Sequence, residues 1–256
     1  MKDLFGHDKV EEATERIKMF EPPEGYYGAT SWGKDSLTIM TLVDMARLKK
    51  PVEWHYHITT IDPPELIYFA RSLKHTDVVW DRPEKPFLIK MVEMGFPTRL
   101  NRWCCKEYKE WGGSGRRVLT GIRQEESLKR SKRKMVEPCL KDESKTFVNP
   151  IIDWKRQDIW RFIREYQVPY CKLYDEGFKR IGCVLCPQNY NRKKEAERWP
   201  QMVKAFQRAF VKLYEDRKSK GLSSVDTWKD GLEMFDWWLS PRGGGKGNPD
   251  QFVMFE

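Results

Sequence analysis

The 256-residue sequence has no apolar run approaching membrane-spanning length, and its opening Met1-Lys2-Asp3-Leu4 lacks the charged-then-apolar layout of a secretory leader. A helical membrane protein is therefore excluded, and a cytoplasmic location is expected. No internal repeat is visible either, which sets aside stacked-repeat architectures. Cysteine is scarce, with six residues and none after Cys186. In a reducing compartment a disulfide framework is not expected, so paired cysteines point to metal ligands or redox-active thiols. Aromatic residues are missing from the basic run Lys129-Arg130-Ser131-Lys132-Arg133-Lys134, whereas single-strand nucleic-acid binders interleave rings with cations.

Positive charge is plentiful. A formal net charge of +9 favours an anionic partner, either a polyphosphate nucleotide or a nucleic-acid backbone. The 129–134 run and Arg192-Lys193-Lys194 contribute to it, although each reads equally well as a solvated face. With 39% hydrophobic residues the chain can bury one core and carry an extension.

Residues 1–22 read as a charged helical segment that Pro22-Pro23 ends. Tyr26 to Thr30 is a short buried strand, and Leu37 to Lys49 follows with apolar residues at helical spacing. Val52 to Thr59, Asp77 to Trp80, Arg117 to Ile122 and Phe147 to Ile152 are further strands, with helices over Pro64 to Leu73 and Trp154 to Tyr166. This alternation predicts an α/β fold with a parallel sheet over 23–190, its ligands beyond the strand ends where Thr30, Thr60 and Gly121 fall. Trp199, Val203, Phe206, Phe210 and Leu213 form a helical stripe read as core. Together with a helix over Val225 to Leu239 they make a C-terminal helical extension over 191–240. The Gly-rich residues 241–256 read as a flexible tail whose tip, Phe252-Val253-Met254-Phe255, could dock.

Two constellations carry chemistry. Ser31-Trp32-Gly33-Lys34-Asp35-Ser36 lies between a strand and a helix, where backbone N–H groups and the helix N-terminus favour an anion. Gly33 allows close approach, Lys34 supplies charge, Ser31 and Ser36 supply hydroxyls, and Asp35 suits a helix cap or a magnesium ion. The spacing is not that of Walker A, and an ordinary helix start would look similar. Cys104-Cys105 and Cys183-Val184-Leu185-Cys186 are four thiols that suit a [4Fe-4S] cluster or a zinc ion; adjacent cysteines reach different corners of a cluster more readily than two vertices of one tetrahedron. Arg99, Arg102, Lys106, Lys109, Lys179 and Arg180 would balance such a centre and face an anionic nucleotide. Cys139 and Cys171 read as structural. Nucleotide and metal chemistry are expected to share one active site.

The loop Ser-x-Gly-Lys-Asp-Ser resembles the PP-loop of the adenine nucleotide alpha hydrolase superfamily, which implies that Rossmann-like fold and binding of ATP or a sulfonucleotide. The order Cys-Cys then Cys-x-x-Cys resembles the phosphoadenosine phosphosulfate (PAPS/APS) reductase family and implies its four-iron, four-sulfur cluster. Gly121, Arg123 and Ser127, with Arg130, are similar to that family's substrate loop. Asn149 to Trp154, Asp158 to Trp160 and Tyr174 to Cys183 match its later segments. The resemblance runs from about Tyr26 to Pro187 and implies nucleotide contacts from the loop residues, Thr60, Asp62, Gly121, Arg123, Ser127 and Arg130, with Lys34, Asp35 and Arg123 catalytic.

The family's reductases use a cysteine near the C-terminus as nucleophile, and none follows Cys186 here. Lys34 and Ser36 resemble the ATP-cleaving relatives instead. The expected function is ATP α-phosphate activation linked to sulfur transfer. Sulfonucleotide reduction releasing sulfite, or a nucleic-acid-associated accessory role that retains only nucleotide binding, are the alternatives. Expected partners are an adenine nucleotide, a thiol or sulfur donor, nucleic acid and a second copy of the chain.

Overall fold

The computed structural model describes residues 1, 6, 8–73 and 77–240; the expected tail over 241–256 lies outside them. In chain order the elements are α1 (Lys9–Met19), β1 (Tyr27–Ala29), α2 (Lys34–Ala46), β2 (Glu53–His57), α3 (Pro64–Ser72), β3 (Val78–Asp81), α4 (Phe87–Met94) and α5 (Trp103–Tyr108). They continue with β4 (Arg117–Leu119), β5 (Val136–Cys139), β6 (Asp142–Val148), α6 (Arg156–Glu165), α7 (Arg192–Arg198), α8 (Pro200–Ser219) and α9 (Gly231–Leu239). Among the described residues no helix is long and apolar enough to cross a membrane. The described residues divide into two compact units: those within 1–57, 64–81 and 111–181 form the first, and those within 58–63, 82–110 and 182–240 the second.

The first unit holds a six-stranded sheet in the order β3-β2-β1-β4-β6-β5, parallel except for β5, which runs antiparallel to β6 at the edge. The expected α/β fold with a parallel sheet is thus borne out. Consecutive strands β1, β2 and β3 step one way, and β4 returns to the other side of β1. That reversal opens a crevice at the carboxyl ends of β1 and β4, where open α/β sheets bind ligands. Gly28 in β1 is required by packing, because a Cβ there would meet the Trp54 ring at 2.3 Å. The helices α1 and α6 both pack against α2.

The last strand differs from the expected Phe147 to Ile152. It spans Asp142–Val148, because Pro150 cannot donate to a ladder and Asn149 turns inward to donate to the Lys134 carbonyl at 2.8 Å. Its charged first half conceals the strand in sequence, and its partner β5 carries Pro138, tolerated only because β5 is an edge.

The second unit is a helical body with an aromatic core. Phe96 stacks on Phe210 at 5.3 Å, Phe206 stacks on Trp238 at 5.6 Å, and Trp199, Phe206, Phe210 and Leu213 are buried as the stripe predicted. The final helix starts at Gly231 rather than near Val225. Asp230 caps it by accepting from the Leu232 and Glu233 amides, and a Cβ at position 231 would lie 2.5 Å from the Val211 Cα on α8.

Candidate functional site

The Ser31 to Ser36 loop leaves β1 at the crevice of the first unit. Trp32 takes a left-handed φ of 56° and is buried, which turns the chain into α2, with Gly33 rather than Asp35 at the cap position. The Ser36 hydroxyl donates to the Gly33 carbonyl at 2.9 Å and so braces the turn. Lys34 is only 5% exposed; its Nζ donates to Asp35 Oδ2 at 2.6 Å and lies 5.7 Å from the Tyr174 ring centre. The Lys34 amide donates to the Tyr174 hydroxyl at 3.0 Å. Burial pushes the Tyr174 phenol well up, so this oxygen stays neutral.

From β4, the segment after Leu119 brings Gly121 against α2, where a Cβ would stand 2.9 Å from the Asp35 carbonyl carbon and oxygen. This close approach delivers Arg123, 4% exposed, whose Nε donates to Asp35 Oδ1 at 2.8 Å and whose second nitrogen reaches Glu125 at 3.0 Å. Burial alone would lower the Arg123 guanidinium, but Asp35 outweighs it and the net direction is up. Asp35 therefore bridges two cations. Glu126 accepts from the Arg123 amide and from Arg130, while the Ser127 hydroxyl accepts from the Arg130 amide at 3.2 Å, so Ser127 and Arg130 are tied within their own exposed loop.

Thr60 and Asp62 belong to the second unit. The Thr60 hydroxyl accepts from the Phe87 amide at 2.8 Å at the start of α4, and Asp62 accepts from the Thr59 amide at 2.9 Å.

All four paired cysteines lie in the second unit, and all six cysteines of the chain are free thiols. Cys104 and Cys105 ride on α5, where Arg102 donates to the Cys105 sulfur at 3.2 Å. The Cys183 to Cys186 turn is fixed by main-chain geometry: Leu185 has φ 58°, and the Val184 amide reaches the Ile61 carbonyl at 2.8 Å. Buried Glu195 on α7 accepts from the Leu185 amide at 2.8 Å and from the Asn189 side chain.

Cys104 feels the charges of Cys105, Cys183 and Cys186. The hydrogen bond between Cys104 and Cys105, then Arg102 and Lys109, pull Cys105 down to about 5, while that same bond and burial push Cys104 up. Burial raises Cys183 against the opposing pull of Lys109. Lys109 keeps solvent exposure as a residue, yet desolvation is the largest influence on its ammonium, and Cys183 and Asp62 overturn that influence to raise it. Among the described residues, no group of three or more His, Cys, Asp or Glu side chains is placed to hold a metal ion as it stands. Cys171 is buried and raised by that burial, while Cys139 is half-exposed on β5.

Sequence reasoning named the loop, Arg123 and the cysteines, and it passed over Tyr174 and Glu195 as site residues. The Tyr174-Asp175 segment carried a signal through its likeness to a family segment; Glu195 carried none beyond its place after the cysteines.

Residues 26–189 match the model of the phosphoadenosine phosphosulfate reductase domain. An uncharacterised protein of Methanocaldococcus jannaschii is 36% identical over 138 residues, 48% of this chain and 34% of that one. An adenosine 5'-phosphosulfate reductase of Oceanobacillus iheyensis is 26% identical over 144 residues, 54% of this chain and 53% of that one. The chain thus spans between a third and about half of the length of these relatives. Among solved structures, the phosphoadenylyl-sulfate reductase of Candida auris superposes with a TM-score of 0.52 at 20% identity, covering 71% of this chain and 91% of that one. That likeness shows the fold.

Proposed function

The chain belongs to the phosphoadenosine phosphosulfate reductase domain family, and from that premise we propose an enzyme that activates the α-phosphate of ATP for sulfur transfer. The observation that carries this reading is the buried Lys34 at the N-terminus of α2, linked through Asp35 to buried Arg123. In the proposed step a nucleophile attacks the α-phosphorus, the bond to the bridging oxygen breaks, and pyrophosphate leaves with the electron pair. Lys34 and the first amides of α2 stabilise the charge that develops on the leaving group. Arg123 presents a planar fork to the oxygens of the α-phosphate. Tyr174 holds the Lys34 amide until a phosphate oxygen takes its place. Asp35 and Glu125 would repel a bare polyphosphate, so the nucleotide enters as its magnesium complex, with Asp35 as the protein oxygen nearest in role to that ion.

A [4Fe-4S] cluster fits the second unit's donor set of Cys104, Cys105, Cys183 and Cys186. A cubane takes one thiolate per iron, so its four sulfurs need not converge on one point as a zinc ion's must. Arg102 and Lys109 already face sulfur, which is the charge balance an anionic cluster requires. When bound, the cluster would supply an iron-sulfur centre able to carry charge or an electron beside the thiolates.

Reduction of a sulfonucleotide is the second reading, supported by relatives named as adenosine 5'-phosphosulfate reductases. A thiol donor would supply the two electrons, and sulfite and AMP would leave. Anaerobically purified protein separates the readings. Pyrophosphate and AMP from ATP support the first, sulfite from a sulfonucleotide with thiol supports the second, and neither product under either condition overturns both. Lys34→Ala should lower pyrophosphate release about 100-fold or more. Iron and sulfide assays decide the cluster: zinc with no iron removes it.

A further inference from the structure

Trp160 stands on α6 between Arg156 and Arg164, at the i, i+4, i+8 spacing that puts all three on one helix face. With Tyr170, Tyr174 and Lys179 they line a cavity of about 410 Å³, and a second cavity of about 420 Å³ shares Arg156, Trp160 and Arg164 with it. The Trp160 ring meets Tyr170 and Tyr174 in T-shaped contacts, each with centroids 5.3 Å apart, and Trp160 itself is half-buried on the cavity wall. Among the described residues the side chains of Arg156, Arg164 and Lys179 have no carboxylate partner. The carboxylate lining the cavity, Asp175, accepts from the Tyr170 hydroxyl at 3.1 Å. The groove therefore presents uncompensated positive charge beside stackable rings, the interleaving that the 129–134 run lacks.

We propose that this groove on α6 binds a single strand of nucleic acid. Cations meet the phosphates and Trp160 offers a face to a base. A duplex is disfavoured, because its bases are stacked within the helix and present no face to an aromatic ring. A free mononucleotide is disfavoured as well: Arg156 and Arg164 are separated by about 12 Å along the helix, and both line each of the two cavities together with Trp160. Tyr174 belongs both to this groove and to the phosphate loop, through the amide of Lys34. Binding stands on the groove alone and does not depend on which reaction the loop performs.

Fluorescence anisotropy with a labelled oligothymidylate tests it, without ATP, at several salt concentrations. The double variant Arg156→Glu/Arg164→Glu, at exposed positions, should weaken binding about tenfold or more and reduce the salt slope by about 1.4. Trp160→Phe should bind like the unaltered protein, while Trp160→Ala should lose about fivefold or more. Lys132→Glu/Lys134→Glu in the other basic run should change nothing. Circular dichroism shows that each variant is folded. Unchanged affinity in the α6 double variant, displacement of the strand by AMP at equal concentration, or no binding at low salt would each overturn the proposal.

Discussion

In the loop that opens α2, each cation already has a carboxylate: Lys34 rests on Asp35, and Arg123 on Asp35 and Glu125. Around the Cys183 to Cys186 turn the arrangement is reversed, since Arg102 and Lys109 are directed at sulfur and the buried carboxylate, Glu195, is spent on main-chain and side-chain amides. In the proposed function the first arrangement is a set of exchangeable ion pairs, which a polyphosphate would enter by substitution. The second is a rigid turn with positive charge held nearby, suited to a permanent anionic group. One region should therefore tolerate loss of a charged side chain in stability and fail in chemistry, while the other should fail in stability first.

Glu195→Ala tests that contrast most severely. It removes a buried acceptor from the Leu185 amide and from Asn189, and an unsatisfied buried amide adjoining a left-handed residue should lower unfolding free energy by about 3 kcal/mol. Urea denaturation measures it, and Glu195→Gln, which keeps one acceptor oxygen, should recover more than half of the loss. Lys34→Ala measured in the same way should lose less than Glu195→Ala. The opposite order would mean that the loop, rather than the cysteine turn, is the structural keystone.

Glycine substitutions sharpen the same comparison at smaller magnitude. At Gly121 a Cβ would be driven into the Asp35 main chain at 2.9 Å, so Gly121→Ala should cost about 2 kcal/mol and also displace Arg123 from Asp35. Gly182, beside the cysteine turn, has nothing within 4 Å of such a Cβ, and Gly182→Ala should stay within about 0.5 kcal/mol. Parallel thermal melts of the two variants check both values.

These contrasts also explain what sequence could and could not disclose. The Ser31 to Ser36 loop and the cysteine pairs are contiguous or regularly spaced, so their residue types advertise them. Strand alternation with helices was legible for the same reason, whereas α5 is too short for periodicity and β5 hides behind an edge proline. Tyr174 acts on a backbone amide 140 residues away, and Glu195 acts on one ten residues away, and amides leave no trace in residue identity. Arg123 was visible through its motif, but its bridge to Asp35 depends on Gly121 admitting the α2 backbone, a contact set by sheet order.

The smallest expected effect lies in the first unit, away from the loop. His57 on β2 is buried, its Nε2 is 2.7 Å from the Tyr27 hydroxyl, and its Nδ1 is buried with no hydrogen-bond partner. Burial, only partly opposed by Asp81, holds its pKa below the ordinary 6.5. The unfolded chain therefore takes up a proton more readily than the folded one. The stabilising contribution is complete above pH 6.5 and declines as pH falls toward the lower folded value. His57→Gln should flatten the fall in stability between about pH 7 and pH 5 relative to the unaltered protein. Denaturation midpoints across that range measure the slope. An unchanged slope would show that burial of the His57 ring is not what makes this unit sensitive to acid.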